Sequence, residues 1–179
     1  MKGAAPSFGI ATSIRVKTFP APPSTTLFNY TWAMDPTEAT EAVETFQQFI
    51  QSDLPAEFGA EFRFNKGSAS GKLSVSLFGG WYGPSEAKFN ATIKPWLAKV
   101  VPKPDVTAIT TGSYIDSVNF YGGKGTLNTT APDNSDTFYV KSLMTPSLSS
   151  SAVKAFTNYL AYQGFHADAV SYSICHPTF

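Results

Sequence analysis

The chain has little of what catalytic centres are usually built from. It holds one cysteine, Cys175, and two histidines, His166 and His176, among 179 residues. A lone cysteine excludes an internal disulfide and leaves the redox compartment open. Cys175 and His176 are adjacent, and neighbouring side chains on a strand point to opposite faces, so they cannot form a nucleophilic dyad along it. Cys175 therefore reads as a small buried hydrophobe. His166, His176 and Asp168 lack both metal-ligand spacing and a fourth ligand, so no metal site is expected. The phosphate-binding glycine patterns, HExxH and CxxC are all missing.

Charge is equally sparse. Thirteen basic and thirteen acidic residues cancel to zero net charge. A nucleic-acid surface needs a concentrated basic face, so nucleic acid is not an expected partner. No apolar run approaches the length of a membrane span, and no membrane partner is expected. Met1-Lys2 is followed by no apolar stretch of the kind a secretory leader carries.

Aromatic residues, by contrast, are plentiful: fifteen Phe, eight Tyr and three Trp. Three Asn-X-Thr sequons, at Asn29, Asn90 and Asn128, point to glycosylation and to a secreted, extracellular glycoprotein. The acidic residues Glu38, Glu41 and Glu44 fall on one helix and read as a solvated face.

Periodicity outlines the elements. Ile10 to Phe19 alternates apolar and polar residues and predicts a strand, ended by Pro20, Pro22 and Pro23. A second strand is predicted from Thr25 to Met34, with Phe28, Tyr30 and Trp32 on one side. Asp35-Pro36-Thr37-Glu38 is a helix start: a cap, a proline at the first turn, and a carboxylate at the capping-box position. Val43, Phe46, Phe49 and Ile50 then form an apolar stripe. Phe58 to Phe64 and Lys72 to Tyr82 read as paired strands. Pro84 opens a second helix in which Pro95 predicts a kink or an early end. Asp105 to Thr111 predicts a short strand, Gly112 to Val118 is ambiguous, and Tyr121 to Thr137 is loop by composition. A third helix is predicted over 149–162, with Val153, Phe156, Tyr159 and Leu160 inward, and a last strand over 167–174. The fold class is α+β, a mainly antiparallel sheet with helices packed on one face.

Tyr114, Phe120 and Tyr121 lie before the long loop, and Phe138 and Tyr139 after it, with Asp136 and Lys141 nearby. Rings that stack on sugar CH faces, beside groups that meet hydroxyls, suit a carbohydrate. The same residues also suit an aromatic-rich core.

Four stretches carry a family resemblance: GAAPSFGIATSIRVKTFPAPP at 3–23, Leu54-Pro55-Ala56-Glu57, Phe120-Tyr121-Gly122, and DTFYVKSLMTPSLS from Asp136. In order and spacing they resemble the berberine-bridge-enzyme-like and glucooligosaccharide-oxidase-like FAD-linked oxidases, flavoproteins of the vanillyl-alcohol-oxidase type. The resemblance implies that residues 1–20 are the C-terminal edge of an FAD-binding domain and 21–179 a partial substrate-binding domain. It implies Gly3, Phe8, Gly9, Ile10 and Ala11 as the FAD-side turn. It implies Tyr121, Asp136 and Tyr139 toward a carbohydrate or small alcohol substrate, with Arg63 where some relatives carry a substrate carboxylate. The flavin-attachment and catalytic-base motifs of the family are not found in the chain, so no catalytic residue is assigned. The expectation is part of an FAD-dependent oxidoreductase with oxygen as acceptor, inactive alone and needing an FAD-domain segment to hold the cofactor. The alternatives are a secreted carbohydrate-binding module without catalysis and a truncated, non-functional gene product.

Overall fold

The computed structural model describes residues 10, 12–121, 145–166 and 171–175. Of the sequence-predicted sites, Gly3, Phe8, Gly9, Ala11, Asn128, Asp136 and Tyr139 lie outside those residues. A five-stranded antiparallel sheet runs in the order β4-β1-β3-β2-β5, where β1 is Thr25–Met34, β2 Phe58–Lys66, β3 Leu73–Trp81, β4 Val106–Gly112 and β5 Ser171–Cys175. The α+β expectation is met.

Alternation along the strands decides which face is the core. Phe28, Tyr30, Trp32 and Met34 of β1, Phe58, Ala60, Phe62 and Phe64 of β2, and Leu73, Val75 and Leu77 of β3 are all buried. Each large side chain taken from water contributes roughly 1.5–3 kcal/mol, so this one face holds most of the driving force.

Helices α1 (Pro36–Ile50) and α2 (Glu86–Leu97) cover it. Phe46 of α1 lies 4.8 Å from Phe62 between ring centres, and Trp96 of α2 meets Trp32 edge-on at 6.2 Å. The start of α1 forms as the sequence predicts. The Asp35 carboxylate accepts from the Thr37 and Glu38 amides at 2.8 and 3.0 Å, and Glu38 accepts from the Asp35 amide at 2.7 Å. In α2, Pro95 stands inside the helix, which runs on to Leu97 and closes with the Ala98 amide on the Lys94 carbonyl.

Helix α4 (Ser150–Asn158) docks on α1. Gln47 holds the Leu148 backbone from both sides, and the Thr40 and Thr157 hydroxyls meet at 2.9 Å. The chain then widens into a π turn over Tyr159–Gln163. That turn corrects the third predicted helix: the α-helical phase is lost after Asn158, so Leu160 and Ala161 are buried while Tyr159 is 47% exposed. The Ala161 carbonyl accepts the Gly71 amide at 2.9 Å, pinning the β2–β3 turn, and Gly71 adopts φ 82°, a conformation that favours glycine.

Two further expectations are corrected. The ambiguous stretch after β4 is a helix, α3 (Tyr114–Tyr121), started by Ser113 and Asp116, which bond each other reciprocally. The strand predicted over Ile10 to Phe19 is not formed by residue 10 or by 12–19. Their alternation is real, but a strand also needs a neighbour for its amides and carbonyls. Ile10, Ile14, Val16 and Phe19 are 70–93% exposed.

Candidate functional site on the helix-free face of the sheet

The odd-numbered residues of β1 and β2 and the even-numbered residues of β3 point away from the helices. Register aligns them in rows. Asn29, Phe78 and Glu61 form one row, Thr31, Ser76 and Arg63 the next, and Leu27, Gly80 and Gly59 a third. A face that exposed only a sheet surface would carry short residues throughout, as the row of Ala33, Ser74 and Asn65 does. The Asn29 and Gly80 rows gather a different set.

Arg63 and Glu61 are two residues apart on one strand and share a face. The Arg63 guanidinium reaches the Glu61 carboxylate through Nε at 3.0 Å and through its terminal nitrogen at 2.9 Å. It also lies 4.6 Å from the centre of the Phe78 ring. Such a partly exposed ion pair adds little stability, about 0–1 kcal/mol. Its effect is to hold a planar cation beside an aromatic ring, with one edge of the group fixed on the Glu61 Oε1 atom. The Asn29 Oδ1 atom, in the row beside it, is buried and has no hydrogen-bond partner among the described residues.

At the end of β3, Tyr82 continues the same face. Its amide donates to the Glu57 carbonyl at 2.8 Å. Its ring lies over Gly80, within 3.0–3.1 Å of the place a Cβ would occupy there. Tyr121, the last residue of α3, lies near enough to Tyr82 and Glu61 for each to act on it electrostatically. Burial pushes both phenols above their ordinary value; the Tyr82 contact and then Glu61 raise Tyr121 further, while the contact from Tyr121 partly offsets the rise at Tyr82. The pair stays uncharged at neutral pH. It can exchange hydrogen bonds with a ligand but supplies no base.

Of the sequence-predicted residues, the structure brings Arg63 and Tyr121 to this face. Ile10 is 93% exposed and stands in no formed element. Asn29 sits in mid-strand between β4 and β3, half-buried, and Asn90 is half-buried on the surface of α2. Glu61, Phe78 and Tyr82 were not predicted from sequence. Of the turn that the family resemblance assigns to FAD, only Ile10 is among the described residues.

A concavity of about 660 Å³ lies in the helix layer between α1 and α2, lined by Phe49, Trp81, Trp96, Lys88, Lys99 and Glu57 among others. It gathers no sequence-predicted site residue.

No protein-family model matches the chain. Among curated proteins it is 29% identical over 164 residues to an FAD-linked oxidoreductase of Metarhizium anisopliae, covering 90% of this chain and 30% of that protein. It is 29% identical over 167 residues to a chitooligosaccharide oxidase of Gibberella zeae (92% and 32%) and 30% identical over 161 residues to a carbohydrate oxidase of Microdochium nivale (89% and 31%). The crystal structure of the Microdochium nivale carbohydrate oxidase with a substrate analogue superposes with a TM-score of 0.69 at 25% identity, over 88% of this chain and 33% of that one. Along most of its own length and about 30% of theirs, the chain is therefore similar to FAD-linked oxidases, whose cofactor belongs to the full-length proteins.

Proposed function

We propose that the chain is part of an FAD-dependent oxidoreductase that oxidises a carbohydrate or other alcohol with oxygen as acceptor, and that the helix-free sheet face is its substrate side. The observation that carries this is the convergence of Arg63, Glu61, Phe78, Tyr82 and Tyr121 on one face, in a sheet that superposes on a carbohydrate oxidase. Phe78 and the two phenols supply ring faces, and Glu61, Arg63 and the phenol hydroxyls meet sugar hydroxyls. Residues 1–20 are the edge of the FAD-binding domain and 21–179 the substrate-binding part. The exposed apolar side chains of Ile10, Ile14, Val16 and Phe19 support that border, since they are a surface waiting to be covered.

The chain by itself has no oxidase activity and supplies only saccharide contacts. The protein is extracellular, and of the two described sequon asparagines Asn90 is the better-suited glycan acceptor, because it stands on a helix surface while Asn29 is enclosed in the sheet. The test is calorimetric titration of the purified chain with cello-oligosaccharides, with absorbance read for bound flavin. Weak binding abolished by Tyr121→Ala, in a colourless protein, is the expected result. No binding at any concentration reached would refute the saccharide face, and a yellow, turning-over preparation would refute the inactivity.

A further inference from the structure

We propose that the concavity between α1 and α2 is a second ligand site, which takes a phenolic acid: a ring with a hydroxyl at one end and a carboxylate at the other. It lies in the helix layer, on the other side of the sheet from the sugar-facing surface, and nothing about it depends on what that surface binds.

Its volume of about 660 Å³ falls within the range of small-molecule sites, about 300–1,000 Å³. Two of its lining residues have polar groups that the fold leaves unsatisfied. The indole nitrogens of Trp81 and Trp96 are buried and have no hydrogen-bond partner among the described residues. An indole N–H can only donate, and a buried donor left unpaired is costly, so each calls for an acceptor. Trp32, the third tryptophan, has its acceptor in the Pro102 carbonyl and does not line the concavity.

The two unpaired donors keep different company. Glu57 stands beside Trp81: the place a Cβ on Gly83 would occupy is 2.9 Å from the Trp81 Nε1 atom and 3.3 Å from the Glu57 Cγ atom. A hydroxyl set between them accepts from the indole and donates to the carboxylate, which no purely accepting group can do. Lys99 stands beside Trp96, its amide donating to the Trp96 carbonyl at 2.9 Å. A carboxylate set there meets an N–H and an ammonium that forms no ion pair among the described residues. The other charges on the lining divide the same way. Asp53, like Glu57, belongs to the connection between α1 and β2, and Lys88, like Lys99, to α2 or the turn that follows it. One wall is therefore acidic and the other basic, which orients a molecule with a donor at one end and an anion at the other. Between them Phe49 stacks on Trp96 at 5.8 Å and is only half-buried, leaving aromatic surface for a ring.

The probe is para-hydroxyphenylpropionate, titrated calorimetrically into the 179-residue chain. Phenylpropionate, which lacks the hydroxyl, and para-propylphenol, which lacks the carboxylate, should each bind about tenfold more weakly. Glu57→Ala should narrow the first gap and Lys99→Ala the second, each by about threefold or more. Both positions are exposed, so the urea midpoint should stay in place. In a proton–nitrogen correlation spectrum, the indole signals of Trp81 and Trp96 should move on binding while that of Trp32 stays. Absence of binding at millimolar probe overturns the proposal. So does binding that leaves the Trp81 and Trp96 signals in place, or equal affinity for the three molecules.

Discussion

Gly79 and Gly80 are consecutive, yet substituting each with alanine should have opposite kinds of consequence. Gly79 faces the core. A Cβ there would lie 2.1 Å from the Gly59 carbonyl oxygen, 2.7 Å from Cζ of Phe28 and 2.9 Å from Cα of Ala60. Two of those atoms are backbone of the neighbouring strand. The third belongs to a fully buried ring held between Phe58 and Phe89, at centroid distances of 5.7 and 5.2 Å. None can retreat without opening the β2–β3 ladder or disturbing the aromatic core. Overpacking of this kind costs about 1–3 kcal/mol and occasionally more, and the involvement of backbone puts Gly79→Ala at the top of that range. The loss of chain entropy in the unfolded state returns only about 0.4–1 kcal/mol. A net loss of roughly 2 kcal/mol is expected, which for a chain of this size lowers Tm by about 4–8 °C. At Gly80 the obstructing atoms are the far end of the Tyr82 side chain, so Gly80→Ala should cost less than about 1 kcal/mol in the same host. Urea unfolding of the two variants, fitted by linear extrapolation, measures both. If Gly79→Ala unfolds within about 0.5 kcal/mol of the unsubstituted chain, or Gly80→Ala is the costlier of the two, the facing assigned to β3 is wrong.

Other measurements bear on other parts of the structure. Trp32 donates its indole N–H to the Pro102 carbonyl at 3.1 Å, whereas the equally buried Trp96 finds no acceptor for its own among the described residues. Trp32→Phe should therefore destabilise by about 1–3 kcal/mol more than Trp96→Phe, and a reversed order in thermal unfolding would discredit that difference. Asp35→Ala removes the acceptor of two helix amides, so a loss of about 1–2 kcal/mol is expected in a denaturant titration, and no loss would mean that α1 does not depend on its cap. Hydrogen exchange should be fast over residues 12–19 and slow over Leu73–Leu77, the middle of the sheet; equal protection would show that the N-terminal segment is folded after all. Because the folded state raises the Tyr121 phenol, its stabilising share is complete below the unfolded value of about 10 and drains away as pH climbs through the folded value. Alkaline loss of stability should thus be blunted in Tyr121→Phe, and identical pH profiles for the two proteins would contradict the shift.

Much of the architecture was legible because it depends on residues close together in sequence. The alternation of Phe28, Tyr30 and Trp32 states which face of β1 is buried, and Asp35 with Glu38 states where α1 begins. The same kind of signal was available for α3 in Ser113-Tyr114-Ile115-Asp116, a capping pattern that the short and aromatic run after it obscured. The segment at 10–19 went wrong for a different reason. Period-two alternation reports that side chains take turns, and says nothing of whether another strand lies alongside. The π turn after Asn158 is a third kind of failure, since no residue type there announces the change of helical phase that turns Tyr159 outward.

The site was less legible than the fold. Asn29, Glu61, Phe78 and Tyr82 lie on three different segments, and only the register of β1, β3 and β2 makes neighbours of them. Glu61 and Arg63 could be paired from their spacing once β2 was accepted as a strand, but the ring beneath Arg63 could not. Tyr82 carried no local signal at all: its meaning comes from a glycine two residues earlier and a helix end that follows β4. Tyr121 was singled out both by its aromatic neighbours in the sequence and by the resemblance, and Arg63 by the resemblance alone, without any account of what surrounds them.

The outer margin of the sheet has a practical consequence for anyone handling the protein. Strand β4 pairs with β1 on one side, and no described strand pairs with its other. Residues 106–111 are exposed, Val106 at 57% and Ile109 at 46%, and the sequence VTAITTG contains no charge and no proline. Natural edges are usually protected by a lysine, a proline or a bulge, and this strand has neither of the first two. A second molecule can lay its own β4 alongside and continue the hydrogen bonding from one sheet into the next. Solubility of the isolated chain therefore depends on seven residues at the margin of the sheet. A lysine in place of Val106, exposed and opposite Thr31, would oppose that growth without touching the core.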